Sequence, residues 1–356
     1  MLKSTGSEFA GFPKTLTQPW MKPMTGCWRQ RWQPVAVCGR AGRPWRAWAA
    51  ASNNAGMGNV AGEHRADEDR VDESVRARPA GGLLPIIAHY TGYRQRGVGP
   101  ARHRGLPSPF LTLIFTLDDP LMLARHPDPR QPPGTYQTLA AGLHTSPALV
   151  VHQGSQSGVQ VGLSPLGARL LLGLPAGELT DTGLEAADLL GPVAGEIQDQ
   201  MRAAPGWPER FGVLDRALLG RLAAADRCPE ISAEVRFAWR RLLHTGGSVA
   251  ISGLAAQSGW SDRHLRAAFR AQIGLTPKAA ARVIGFHRAR RLLQQRTQGP
   301  EQPVLASLAA ECGYYDQAHL ARDFRSLAGC PPRRWLAEEF RNVQAEPLAM
   351  LKGSVA

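Results

Sequence analysis

One stretch of this chain is written twice, and that repeat limits the fold more than any other feature. The first copy reads Leu254-Ala-Ala-Gln-Ser-Gly-Trp-Ser-Asp-Arg-His-Leu-Arg-Ala-Ala-Phe-Arg270 and closes on Gly274-Leu-Thr-Pro277. The second reads Leu308-Ala-Ala-Glu-Cys-Gly-Tyr-Tyr-Asp-Gln-Ala-His-Leu-Ala-Arg-Asp-Phe-Arg325 and closes on Gly329-Cys-Pro-Pro332. The offset is 54 from Leu254 to Leu308 and 55 from Leu265 to Leu320 onward, so one extra residue enters the second copy just after its turn glycine. Matched anchors with a single slip do not arise readily by chance, and they mark two copies of one supersecondary unit.

Each copy holds the parts of two short helices joined by a sharp turn. A Leu-Ala-Ala helix comes first. Gly259 or Gly313 then supplies the positive φ such a turn requires. Ser261 or Asp316 follows as a cap, with a side-chain oxygen able to accept from the first free N–H groups of the next helix. That helix carries a Leu and a Phe four apart, Leu265 with Phe269 and Leu320 with Phe324, which define its buried face. The opposite face presents Arg263, Arg266, Ala267 and Arg270 in the first copy. In the second it presents Gln317, Ala318, Ala321, Arg322 and Arg325. Arg can pair bidentately with guanine O6 and N7, Gln with adenine N6 and N7, and small Ala allows close approach to a groove floor or a thymine methyl. Arg263, Arg266, Ala267, Arg270, Gln317, Ala318, Ala321 and Arg322 are therefore the expected base contacts. Ser261, Asp316, Arg282, Arg288 and Arg325 are the expected capping and backbone set.

Between the copies, Ala279–Gln295 reads as a connecting helix. Val283, Phe286, Ala289 or Arg290 and Leu293 give one apolar face, and Arg282, Arg288, Arg291 and Arg296 fill the rest. Charge follows the repeat. The whole chain is formally +13; residues 233–341 carry +9, residues 83–232 only −1, and residues 1–56 +7. A basic block beside a neutral one predicts that polyanion binding and a second task are divided between regions. Most of the basic residues are Arg, which also fits a biased genome composition.

The neutral region has a different texture. Short apolar stretches at Leu83–Ala88, Phe110–Leu117, Leu139–Leu143, Ala148–Val151 and Val159–Leu163 alternate with Pro- and Gly-rich turns, as in a compact β-barrel or sandwich. Leu190, Val193, Ile197 and Met201, then Phe211, Leu214, Leu218 and Leu222, read as an antiparallel helical pair. Its stripes are expected to pack on the barrel or to form a dimer seam, with Arg221–Pro229 a polar hinge. Residues 1–56, with five of the nine Trp and no sustained period, read either as a basic aromatic arm or as a non-native extension upstream of a start at Met57. The acidic and basic run Glu63–Glu73 reads as a solvated linker.

Residues 233–341 resemble the DNA-binding domain of the AraC/XylS family of transcriptional regulators. The resemblance rests on Cys312-Gly-Tyr-Tyr-Asp-Gln-Ala-His-Leu-Ala-Arg-Asp-Phe-Arg and on Gly329-Cys-Pro-Pro-Arg-Arg-Trp335. Ala318 and Leu320 stand where the family often has Ser and an aromatic residue. The resemblance implies seven helices, two helix-turn-helix units, a long linking helix and control of transcription under a sensor domain. Upstream, His103-Arg-Gly-Leu-Pro-Ser-Pro109 and Gly142-Leu-His-Thr145 resemble the sensor region of a subset of the family, with a cupin-like barrel as the analogy.

The expected fold is multidomain: an extension over 1–82, a mostly-β sensor over 83–180, a helical pair over 181–228, an all-α double helix-turn-helix domain over 233–341 and a tail over 342–356. The expected partners are double-stranded DNA and a small-molecule effector, with room for RNA polymerase and a homodimer. No apolar run approaches the ~18–20 residues of a membrane span, and no export segment is evident, so a cytoplasmic location is expected. Five scattered cysteines are not a disulfide framework. The rival reading is a metal-dependent cupin-like enzyme fused to a DNA-binding domain, with His103, His144 and His152 as ligands. It lacks a His-x-His and a nearby Glu, so neither metal nor cofactor is expected. No cysteine has a histidine-paired nucleophile arrangement and no phosphate-cradling Gly-rich loop occurs, so no catalytic residue is assigned.

Overall fold

A computed structural model describes residues 70–225, 231–297 and 304–339. Ten strands among these residues form two antiparallel sheets. The larger runs β1 (Val71–Ala77), β2 (Ile87–Arg96), β9 (Gln156–Leu163), β4 (Leu111–Thr116), β7 (Thr138–Ala141), β10 (Gly183–Glu185). The smaller runs β3 (Ala101–Gly105), β8 (Ala148–His152), β5 (Leu121–Arg125), β6 (Gly134–Tyr136). The period of two explains how they stack. Ile114 of β4 meets Leu121, Leu123 and Val150 between the sheets, whereas Leu111, Leu113 and Phe115 point the other way into a second core shared with the helices. Both faces of β4 are buried, which is why it reads as an unbroken apolar run.

Helices follow: α1 (Ala168–Leu172), a 3-10 turn at Ala176–Leu179, α2 (Ala187–Leu190), α3 (Val193–Ala203) and α4 (Trp207–Ala223). The two expected stripes are consumed within this chain. Leu190, Ile197, Met201, Phe211, Leu214 and Leu218 are all buried, and α4 packs on α1 while α3 packs on β4. Arg221 belongs to α4 rather than to a hinge. Its guanidinium donates to the carbonyls of Leu171, Leu190 and Leu189, tying α4 to the ends of α1 and α2. Of the expected hinge, residues 226–229 lie outside the described residues, as do 1–69 and the tail.

The sheet begins at Val71, so residues 71–82 are not part of an unstructured extension. β1 pairs with β2 along its whole length, from Val71 opposite Arg96 to Ala77 opposite Tyr90. Trp207 Nε1 donates to Glu73 at 2.7 Å, and its ring lies so close over Gly92 that a Cβ there would sit 2.4 Å away. Asp215 accepts from Ala80 N at 2.9 Å and from the Tyr90 hydroxyl at 3.0 Å. The segment reads as a solvated charge run because β1 is an edge strand whose polar residues alternate outward.

The C-terminal region contributes seven helices among the described residues: α5 (Ala233–His244), α6 (Ile251–Gln257), α7 (Asp262–Ile273), α8 (Pro277–Thr297), α9 (Leu305–Glu311), α10 (Gln317–Ala328) and α11 (Pro332–Glu339). The connecting helix α8 does not have a single apolar face. Val283, Ile284, Phe286, His287, Ala289, Arg290, Arg291, Leu293 and Gln294 are all buried, so Arg291 is not on a solvent face. The helix packs on α5, α7, α9 and α10, and Phe110 of the sheet region meets His287 edge-on at 6.1 Å. Surrounded in this way, the stems of its buried arginines cover apolar neighbours, and the Arg290 guanidinium lies 3.4 Å from His287 Nδ1. All the described residues lie in one compact unit, Met57–Ala356. Among them, no helix is long and apolar enough to cross a membrane.

Candidate DNA-binding surface

Helices α6 and α7 form the first unit, and α9 and α10 the second. The turn glycines take positive φ, 71° at Gly259 and 78° at Gly313. The Ser261 hydroxyl accepts from His264 N at 3.3 Å, and the Asp316 carboxylate accepts from His319 N at 2.6 Å. Each satisfies one of the free N–H groups at the start of its recognition helix, worth about 1 kcal/mol per cap. An aromatic residue after each glycine braces the turn: Trp260 lies edge-on to His264 at 4.3 Å, and Tyr314 edge-on to His319 at 5.1 Å. Burial holds the Tyr314 phenol well above its ordinary range, so it stays protonated.

The inner faces are dry. Leu265 and Phe269 are buried against Trp239, and Leu320 and Phe324 against Phe286 and Trp335. The outer faces are open. Arg263, Arg266, Ala267 and Arg270 on α7, and Gln317, Ala318, Arg322 and Arg325 on α10, are exposed, with Ala321 half-buried. Arg263, Arg266 and Arg270 make no ion pair with any described residue. Arg322 turns back to donate to the Ala318 carbonyl of its own helix at 3.3 Å. Arg282 is engaged: its Nε donates to Asp323 at 2.7 Å, linking α8 to α10. Arg288 is half-buried and lies over Gly246. Arg296 pairs with Glu311.

The structure also holds contacts that sequence reasoning missed. The sheet region grips each recognition unit at its C-terminal end. At the first, the Ala176–Leu179 turn packs on α7. A Cβ on Gly177 would come within 2.1 Å of the Ala271 carbonyl. The Thr180 hydroxyl lies 2.8 Å from the Gly177 carbonyl and 3.1 Å from that of Gly274, the α7 C-cap. At the second, a Cβ added to the α10 C-cap Gly329 would lie 3.6 Å from Pro147. One residue row on, Arg104 of β3 clamps α11. Its backbone N–H donates to Glu339 at 3.0 Å, and its guanidinium reaches Glu339 at 2.8 Å and Glu338 at 2.7 Å. Glu339 is buried, so removing Arg104 would leave a poorly compensated charge in the interior. No local sequence signal marks these residues, because each acts across a long sequence separation.

A cavity of about 60 Å³ opens between the sheets. Thr112, Gln160, Leu123, His126 and Val150 line it, and Arg290 of α8 reaches its wall. Among the described residues, no three His, Cys, Asp or Glu side chains are grouped to hold a metal ion. His103 and His152 approach, with ring centroids 6.2 Å apart. His144 Nδ1 is bonded to the Ser146 carbonyl at 2.6 Å. Burial, reinforced for His103 by its neighbour His152, lowers the His103 and His144 imidazoles to about 4.

Comparison with known proteins agrees with this layout. Residues 254–338 match a family model described as a helix-turn-helix domain, and residues 75–185 match a domain of unknown function (DUF6597). The chain is 33% identical over 93 residues to the uncharacterized HTH-type transcriptional regulator YbfI of Bacillus subtilis (strain 168), a match covering 26% of this chain. The chain spans about a third, 32%, of the length of that curated relative. Among solved structures it is similar to ToxT from Vibrio cholerae O395, with a TM-score of 0.42 and 8% identity over 76% of this chain and 98% of that one. It is also similar to the AraC-like transcriptional activator CuxR, with a TM-score of 0.28 and 12% identity over 64% of this chain and 96% of that one. The repeat, the caps and the domain match together define a helix-turn-helix domain over residues 254–338. The C-terminal region holds two helix-turn-helix units and follows a two-sheet region upstream.

Proposed function

We propose that this protein is a sequence-specific DNA-binding transcriptional regulator whose helices α7 and α10 enter successive major grooves on one face of the duplex. The observation that carries this reading is the pair of capped helices with matched buried Leu–Phe faces and open Arg- and Gln-bearing faces. Recognition helices so arranged meet grooves about one helical turn, ~34 Å, apart. Arg263, Arg266, Ala267 and Arg270 read one groove; Gln317, Ala318, Ala321 and Arg322 read the next. Ser261 and Asp316 fix the helix N-termini near phosphates, and Arg282, Arg288 and Arg325 add backbone charge, with Arg282 sharing its charge with Asp323. Because the two faces differ, one subunit reads an asymmetric site.

The two-sheet region acts as the regulatory part. It touches both recognition units, and the inter-sheet cavity lies between Gly105, next to the Arg104 clamp, and Thr182, just beyond the Thr180 contact. A small molecule seated there would bear on both grips. This reading involves no catalytic step.

The test begins with selection of bound duplexes from random or genomic DNA by the purified full chain. Arg266→Ala and Arg322→Ala should each cost roughly 1–3 kcal/mol on the selected site and relax preference at a different position. Unaltered affinity and base preference in both variants would overturn the assignment.

A further inference from the structure

The slip in the repeat has a structural identity. Up to the turn aromatic the copies align at 54, Trp260 with Tyr314; from the cap onward they align at 55, Ser261 with Asp316. The inserted residue is therefore Tyr315. The packing duties around it are filled by others: Tyr314 is buried and braces His319, and Asp316 caps α10. Tyr315 contributes only its backbone N–H, which donates to His319 Nδ1 at 3.4 Å. Its side chain is 93% exposed, the most open large apolar side chain among the described residues. A lone exposed apolar residue is ordinary on a protein surface. This one differs in being an insertion relative to its own sister motif, held between a buried residue and a helix cap, beside the exposed Gln317 and Ala318.

We propose that Tyr315 is a DNA-backbone contact of the second unit only, and this rests on the regulator reading above. The phenol hydroxyl donates to a phosphate oxygen at the groove edge as the α10 N-terminus enters, and the ring packs on the adjoining deoxyribose. Tyrosine is among the side chains that make such phosphate contacts, which set register without reading sequence. The chain on both sides of Tyr315 is fixed, so little ordering is needed beyond its own side-chain rotors. The first unit has no counterpart, and its Trp260 is turned inward onto His264.

The experiment measures affinity of full-length wild type, Tyr315→Ala and Tyr315→Phe for the selected duplex and for an unrelated duplex, across a salt series. Tyr315→Ala should weaken both complexes by about the same factor, roughly 5–10-fold, the size of one lost hydrogen bond plus its packing. The salt slope should stay as in wild type, because slope counts neutralised phosphates and a phenol brings no charge. Tyr315→Phe should fall between the two. Thermal unfolding should be unchanged in both variants. Wild-type affinity in Tyr315→Ala, a loss confined to the selected sequence, or an altered slope would each overturn the proposal. A wild type that binds no duplex would sink the regulator reading itself, a result distinct from all of these.

Discussion

The two helix-turn-helix units share a turn, a cap and a Leu–Phe pair, yet they are scaffolded differently. The first rests Phe269 on Trp239 of α5, with ring centroids 6.1 Å apart. The second wedges Phe324 between Phe286 of α8 at 4.9 Å and Trp335 of α11 at 6.1 Å, and adds the Arg282–Asp323 pair. Their outer faces differ as well, three arginines on one and a Gln, Ala and Arg set on the other. The inside of the motif is set by what the turn needs, so it repeats. The outside and the flanks carry what distinguishes one copy from the other.

Core truncation makes the sharpest test of that comparison. Phe269→Ala and Phe324→Ala should each cost about 3–5 kcal/mol in thermal or denaturant unfolding, since both rings are wholly buried. Phe324→Ala should be the costlier, because it unseats two aromatic neighbours rather than one. The reverse order would show that the second unit is not the more tightly braced.

Next in size is the clamp. Arg104→Ala takes the guanidinium away from the buried Glu339, a loss of about 1–3 kcal/mol. Hydrogen exchange should quicken in α11 and spare α6 and α7. Equal quickening in both units would mean that the sheet region holds them as one block.

The caps give the smallest effect. Ser261→Ala and Asp316→Ala should each cost about 1 kcal/mol, with Asp316→Ala the larger because its bond is charge-assisted and shorter, 2.6 Å against 3.3 Å. Unfolding measured at several salt concentrations checks this, since the helix-terminus charge component of Asp316 should shrink as salt rises.

What was legible in the sequence was local. The turn glycines, caps and buried pairs act within a few residues of one another, so their spacing alone announces them. A strand with a nearly unbroken apolar run, such as β4, was legible for the same reason, as was the Val159–Leu163 part of β9. β1, β3, β5, β6 and β10 were not, and the stretch Leu83–Ala88 caught only the start of β2. Val71-Asp-Glu-Ser-Val-Arg-Ala77 and Ala101-Arg-His-Arg-Gly105 are edge strands whose polar side chains hide the alternation, and β10 is only three residues long. The connecting helix looked one-sided because Arg291 read as a surface residue, and only packing from several directions buries it. The grips through Gly177, Thr180 and Arg104 depend on partners 94 to 235 positions away for the hydrogen-bonded pairs, beyond the reach of any window. Tyr315 was different: the one-residue slip pointed to it, and only exposure revealed that it has no duty inside the fold.

The sheet region comes up to both helices near their C-cap glycines, with Thr180 bonded to the Gly274 carbonyl and Pro147 alongside Gly329. A rod held at one end swings widest at the other. If the proposed function holds, small adjustments among the sheets would reach the free helix ends magnified, as a change of pitch between two exposed probes. Control built this way would work like tuning a fork, by altering the spread of its tines rather than by sheathing them.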